Sequence, residues 1–230
     1  MARPSLLRAS NPHRAACWLV FVVLVLFAFT VGGAMGAYPG GTFFDPDRQG
    51  YDFWKNFWCD ALRNPALNGA PNAHGARLAT IALWVLSSGL MPFWSIAAAL
   101  YAGRRRPLRR TIVVLGVTAM LGMMGVTLLP SNEFPLLHGS LALIAGPPAF
   151  VATLLCLLSS RGSPRVPAAV TWLGAAALLF ALGNFVEYGR EFWLGVRPFS
   201  LLPALQKLVT ILFLGWVTAL SAIAFSGKRA

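Results

Sequence analysis

The chain has 230 residues, a formal net charge of +12, 57% hydrophobic residues and only 11% charged ones. Soluble domains carry about 25% charged residues, so this composition excludes an ordinary soluble enzyme and points to a polytopic membrane protein. A basic excess can also signal nucleic-acid binding, but the placement of these charges along the chain removes the main support for that reading.

A helix needs about 20 predominantly apolar residues to cross about 30 Å of hydrocarbon. Six such blocks are predicted, at about 15–37, 77–101, 110–130, 137–159, 167–187 and 199–225, which leave little chain for a soluble domain. The expected fold class is all-α: one integral membrane domain over residues 1–230, built as a six-helix bundle. Block one follows a basic start and ends in small residues near Ala34 to Gly36, a pattern shared with secretory signal peptides. Its apolar run from Ala15 to Ala37 is longer than the usual core of a signal, so it reads as a retained helix. Cleavage would leave five spans.

The link after block one is the longest, residues 38–76, and opens and closes with turn formers: "YPGGTFFDPDRQG" and "RNPALNGAPNAHG". Between them "YDFWKNFWCDALR" has no breaker. At helical spacing Asp52, Asn56, Asp60 and Arg63 share one face, while Phe53, Trp54, Phe57, Trp58 and Leu62 cover the other. This predicts an amphipathic helix lying in the membrane interface, aromatic rings toward lipid and the polar row toward water or toward the bundle.

Block two is interrupted by Pro92, and is followed by Arg104, Arg105, Arg106, Arg109 and Arg110. Together with Arg3, Arg8, Arg14, Arg161, Arg165, Lys228 and Arg229 these make 12 of the 19 basic residues, all on one side if every block crosses. All seven acids (Asp45, Asp47, Asp52, Asp60, Glu133, Glu187, Glu191) fall on the other. The positive-inside rule then places both termini in the cytoplasm, and the net charge is a topology signal.

Block three carries Met120, Met123 and Met124, an adaptable lining or core filler. Gly116, Gly122, Gly125, Gly174, Ala181, Gly215 and Ala219 offer close contacts between helices. Block four starts near Glu133 and His138, and Pro147 and Pro148 in its middle should free the carbonyls of Leu143 and Ile144. Block five ends with Asn184, Glu187 and Arg190, and block six carries Lys207 about two turns in. Ionisable groups within spans are costly and are functional candidates by default. The ligand-site candidates are therefore Asn56, Asp60, His138, Glu187, Arg190 and Lys207, with Lys207 pairing to Asp60 or Glu187 and Arg190 to the remaining acid.

Signatures of membrane enzymes are missing: there is no HExxH, no P-loop and no GxSxG elbow. Three dispersed histidines do not suit bis-histidine haem or a three-histidine zinc site, so no metal or cofactor is expected. The three cysteines lack metal-like spacing, and Cys59 stands apart from Cys17 and Cys156. The best catalytic candidates are His138 with Asp60, as general acid and base on a lipid headgroup ester or amide.

The motifs "YPGG" at Tyr38 to Gly41, Asn56-Phe57, Asp60 and Asn72, then "FPLLHG" and "LQKLVTI", resemble a poorly characterised family of six-span bacterial integral membrane proteins. That family is itself distantly similar to the damage-regulated autophagy modulator and GPI-lipid-remodelling membrane proteins. This chain departs from the loop pattern with Cys59 for the usual Ser and Ala61-Leu62 for Leu-Gly. The resemblance implies a six-helix bundle with an ordered first outer loop, and raises Asn56, Asp60, His138 and Lys207 as a shared polar site; with a bacterial family of this kind, the expected location is the bacterial inner membrane.

The expected function is that of a lipid-interacting membrane protein with a polar outer-leaflet cavity. A lipid-modifying hydrolase or transferase using His138 and Asp60 is the alternative, and a small-solute transporter the third reading. Membrane lipid is the expected partner, nucleic acid is not, and a homo-oligomer is left open.

Overall fold

The computed structural model describes residues 13–103, 105–160, 163, 165–196 and 201–227. Among the expected basic positions, Arg3, Arg8, Arg104, Arg161, Lys228 and Arg229 lie outside the described residues, as do residues 199 and 200 at the start of block six. The described residues form helices α1 (Arg14–Ala37), α2 (Ala73–Gly89), α3 (Phe93–Tyr101), α4 (Arg106–Leu128), α5 (Pro135–Leu158), α6 (Ala168–Leu194) and α7 (Leu202–Ser226). With α2 and α3 taken as one broken stretch, six helical segments are long and apolar enough to cross a membrane. The protein is an all-α, multi-pass membrane bundle. No strand occurs among the described residues, only an isolated antiparallel bridge between Gly40 and Gln49.

Several helix ends follow from local chemistry. α4, α5 and α7 each carry a proline in their first turn, where its missing N–H costs nothing. This is why α4 begins at Arg106, ahead of the expected start at 110, and draws Arg109 and Arg110 into the helix. α6 runs on through the polar "EYGREFW" to Leu194, well past the expected 187, and stops at Gly195 with φ 62°, the left-handed residue that commonly terminates helices.

The interruption at Pro92 organises the core. It separates α3 from α2, and α3 enters the middle of the bundle with Phe93, Trp94, Ile96, Ala97 and Ala98 fully buried. Around it pack Cys17 and Val20 of α1, Ile112 and Ala119 of α4, Ala152 and Cys156 of α5, and Trp216 and Leu220 of α7. Because lipid tails are as apolar as side chains, such contacts rest on close packing rather than on escape from water. Gly116 faces the Trp94 ring and Gly174 the Trp216 indole so closely that a Cβ at either would collide, and Gly122 lies against Ala145. Gly116, Gly122 and Gly174 are thus contact points within one bundle, whereas Ala181 lines a cavity. Pro147 and Pro148 lie inside α5, which continues through them to Leu158.

Loop contacts align the bundle ends. Arg63 reaches Ser131, Asn132 reaches Asn64 and Trp58 reaches Gln206, so the 38–72 loop, the α4–α5 link and the start of α7 share a loop end. At the other end the Arg14 guanidinium stacks over Phe225 and Ser163 donates to the carbonyls of Leu100 and Tyr101. That is the arginine end.

The amphipathic helix expected over 51–63 does not form. Residues 53–55 make a turn and only Trp58–Leu62 are helical, as a short 3-10 helix. The same polar residues that suggested a helix face compete with it by bonding nearby backbone. Asp52 N–H donates to the Asn56 side chain, Trp54 N–H to the Asp52 carboxylate and Phe57 N–H to the Asp60 carboxylate.

Candidate functional site

Asn56 is the hub of the loop end. Fully buried, it donates from Nδ2 to the Gly41 carbonyl at 2.7 Å and to Asp60 Oδ2 at 3.0 Å. Its own carbonyl accepts a 2.6 Å bond from Lys207 Nζ. The Gly41 carbonyl is in place because Gly40 and Gly41 hold φ of 143° and 86°, and a side chain on Gly41 would collide with the backbone at Asn68. Asn72 closes the far side of the loop by donating to the carbonyls of Ala61 and Arg63. The "YPGG", Asn56, Asp60 and Asn72 motif therefore converges on one knot of hydrogen bonds.

Lys207 is fully buried although it is charged. Its ammonium sits 4.5 Å from the Trp58 ring centroid, 5.6 Å from that of Tyr51 and 5.7 Å from that of Phe53. Aromatic faces attract a desolvated cation by about 2 kcal/mol, which, with the Asn56 carbonyl, offsets part of the cost of burial. Phe53 and Trp58, expected to face lipid, instead join Tyr51 in this box, and Trp54 alone among the loop's tryptophans is exposed. No direct ion pair joins Lys207 to Asp60 or Glu187 among the described residues; the salt bridges there are Arg48–Asp52 and Arg190–Glu187.

Burial holds the Asp60 carboxyl above its ordinary value, against the opposing pull of the bonds from Asn56 and Phe57 and of the Arg63 and Lys207 charges. Burial likewise pushes the neighbouring Cys59 thiol up to about 12. All three cysteines are free, with Cys59 partly exposed and the other two buried.

The remaining candidates have other partners. His138, 2% exposed, donates from Nδ1 to the Leu129 carbonyl at 2.7 Å, and its Nε2 is buried without a hydrogen-bond partner. No hydrogen bond links it to Asp60 among the described residues. Glu187 and Arg190 bond each other at 2.8 Å on the rim of α6. The structure thus joins Asn56, Asp60 and Lys207 by contacts around one loop, while among the described residues no hydrogen bond or salt bridge links His138 or the Glu187–Arg190 pair to them.

A different feature lies beneath the knot: a cavity of about 470 Å³ between α2, α4, α5, α6 and α7, within the usual size range of small-molecule sites. Its walls are mainly apolar. Met120 and Met123 come from α4, Leu143, Gly146 and Pro147 from α5, Ala181 and Phe185 from α6, and Phe213 from α7. Polar groups come chiefly from Asn184 and Tyr188 of α6 and Gln206 and Thr210 of α7. Trp58 caps them. Its backbone N–H donates to Gln206 Oε1 and its indole N–H to Thr210 Oγ1, each at 3.0 Å. One indole therefore covers the Lys207 ammonium and also lines the cavity.

The sequence reading missed Trp58, Gln206, Thr210 and Tyr188 as cavity residues. The signal was present as two pairs at a spacing of four, Asn184 with Tyr188 and Gln206 with Thr210, each placing two polar groups on one helical face. The expected polar cavity is instead largely apolar, because most of the polar side chains assigned to it bond to one another or to the loop backbone.

Compared with known proteins, the chain matches no family model, no curated protein and no solved structure.

Proposed function

We propose that this multi-pass membrane protein binds a membrane lipid or similar amphiphile, with an apolar tail in the α2–α4–α5–α6–α7 cavity and a polar group beside Trp58. The observation that carries the reading is the cavity itself: about 470 Å³, apolar along the helices and polar at one rim. The rim of Gln206, Thr210, Tyr188 and Asn184 offers neutral hydrogen-bonding groups, which suits a hydroxyl, ester or amide more than a free anion. Placement in a bacterial inner membrane with cytoplasmic termini belongs to this proposal; the orientation rests on the positive-inside argument, and the choice of membrane on the family resemblance. The hydrolase or transferase alternative has less support, because His138 and Asp60 are engaged with separate backbone groups.

The test is to identify lipids retained on gentle purification by mass spectrometry, for the wild type and for Gly146→Leu and Ala181→Trp. A Cβ at Gly146 would make only ordinary contact with Phe185, at 3.5 Å, so the longer leucine projects into the cavity. The expected result is an enriched lipid in the wild type that falls several-fold in both folded variants. Lipid retained in bulk membrane proportions, unchanged by either substitution, would sink the proposal.

A further inference from the structure

The arginine end holds a second feature that the cavity reading does not use. Arg106, Arg109 and Arg110 in the first turns of α4 line a groove of about 400 Å³ with Ser95 of α3 and with Val113 and Val114 one turn further along α4. The three arginines have no carboxylate partner among the described residues, where both salt bridges lie at the loop end. All seven acids of the chain also belong to segments at the loop end. Burial first, and then the Arg109 charge, pushes the neighbouring His13 below its ordinary value.

We infer that this groove binds the headgroup of an anionic phospholipid at the membrane surface. Arginine guanidinium groups match phosphate with paired donors. Spacings of three and four place Arg106, Arg110, Val113 and Val114 on one face of α4. Val114, 62% exposed, carries that face into the apolar span. A ligand that fills the groove therefore needs a negative head continuous with an apolar stem, which favours a lipid over a free soluble anion. Ser95 already donates its hydroxyl to the Pro92 carbonyl at 2.7 Å, so it is left to accept from a headgroup hydroxyl. Each such arginine contributes about fivefold in affinity for an anionic surface.

The test titrates the full-length protein in detergent with short-chain phosphatidylglycerol or phosphatidylcholine and reads binding by native mass spectrometry. The wild type should prefer the anionic lipid, and the combined variant Arg106→Gln, Arg109→Gln, Arg110→Gln should bind it about 100-fold more weakly. Arg48→Gln with Arg190→Gln, at the loop end, should leave it unchanged. Gly146→Leu, which fills the cavity, should also leave it unchanged, so this inference and the cavity reading fail separately. If the combined variant does not fold, Arg106→Gln and Arg110→Gln are read singly, each expected to lose about fivefold. Equal binding of the two lipids, unchanged binding in the arginine variants, or displacement by millimolar inorganic phosphate would overturn the inference.

Discussion

The knot around Lys207 and the cavity beneath it meet at Trp58, yet they are built on opposite principles. In the knot most polar groups have protein partners: Asn56 alone joins the Gly41 turn, Asp60 and Lys207. The cavity has a polar rim and long apolar walls. The contrast teaches that buried charge in a membrane bundle need not mark a ligand site. Here the buried lysine acts as a fastener, pinning an irregular loop to α7 by a carbonyl and three aromatic faces.

The comparison can be broken first at Lys207. Lys207→Ala removes the fastener, with its charge-assisted bond to the Asn56 carbonyl and its three aromatic contacts, so the loop end should lose about 3 kcal/mol. Thermal unfolding in detergent measures the loss, and Cys59 alkylation, slow at pH 7 in the wild type because its thiol is held near 12, should accelerate. If Cys59 reacts no faster, Lys207 does not hold the loop. Asn56→Ala keeps the charge but strips the side-chain bonds of the hub, and about 2 kcal/mol should follow from the unsatisfied groups left behind. Trp58→Phe retains an aromatic face over Lys207 and loses the indole bond to Thr210. It should cost about 1 kcal/mol while increasing lipid exchange from the cavity, an effect that separates cap from fastener.

A pH series sharpens the same contrast. Because burial raises the Asp60 carboxyl in the folded loop, the folded state binds a proton more readily than the unfolded one. The stability from this group therefore grows as pH falls through the raised folded value toward the ordinary 3.8, and is lost as pH rises through that window. Unfolding midpoints from pH 7 to pH 4 should show this increment in the wild type and not in Asp60→Asn. The smallest effect belongs to Glu187→Gln, at an exposed pair on the rim, where a change within about 0.5 kcal/mol is expected. A larger loss would show that this pair is coupled to the cavity.

Much of the bundle was legible because a membrane span declares itself locally. Apolar runs marked six helices, Pro92 marked the break that sends α3 inward, and Gly116 and Gly174 marked close contacts. The loop was misread because Asp52, Asn56 and Asp60 satisfy helical spacing equally well as a helix face or as side chains capping their own backbone. Only the bond from Asn56 to Gly41, 15 residues away, selects the second. The polar residues were read as one site because they share a depth, but depth does not fix direction around a helix axis.

The sequence by itself determined the all-α, multi-pass architecture and the confinement of all seven acids to one set of connections, since both follow from how residue types are distributed along the chain. Tertiary structure alone decided that Lys207 is boxed by Tyr51, Phe53 and Trp58, that His138 bonds the Leu129 carbonyl and not Asp60, and that a largely apolar cavity lies under the loop. These outcomes depend on how five helices rotate against one another and on which backbone carbonyl a distant side chain reaches. Neither quantity is carried by local pattern, because each is settled by packing partners more than a hundred residues apart in the chain.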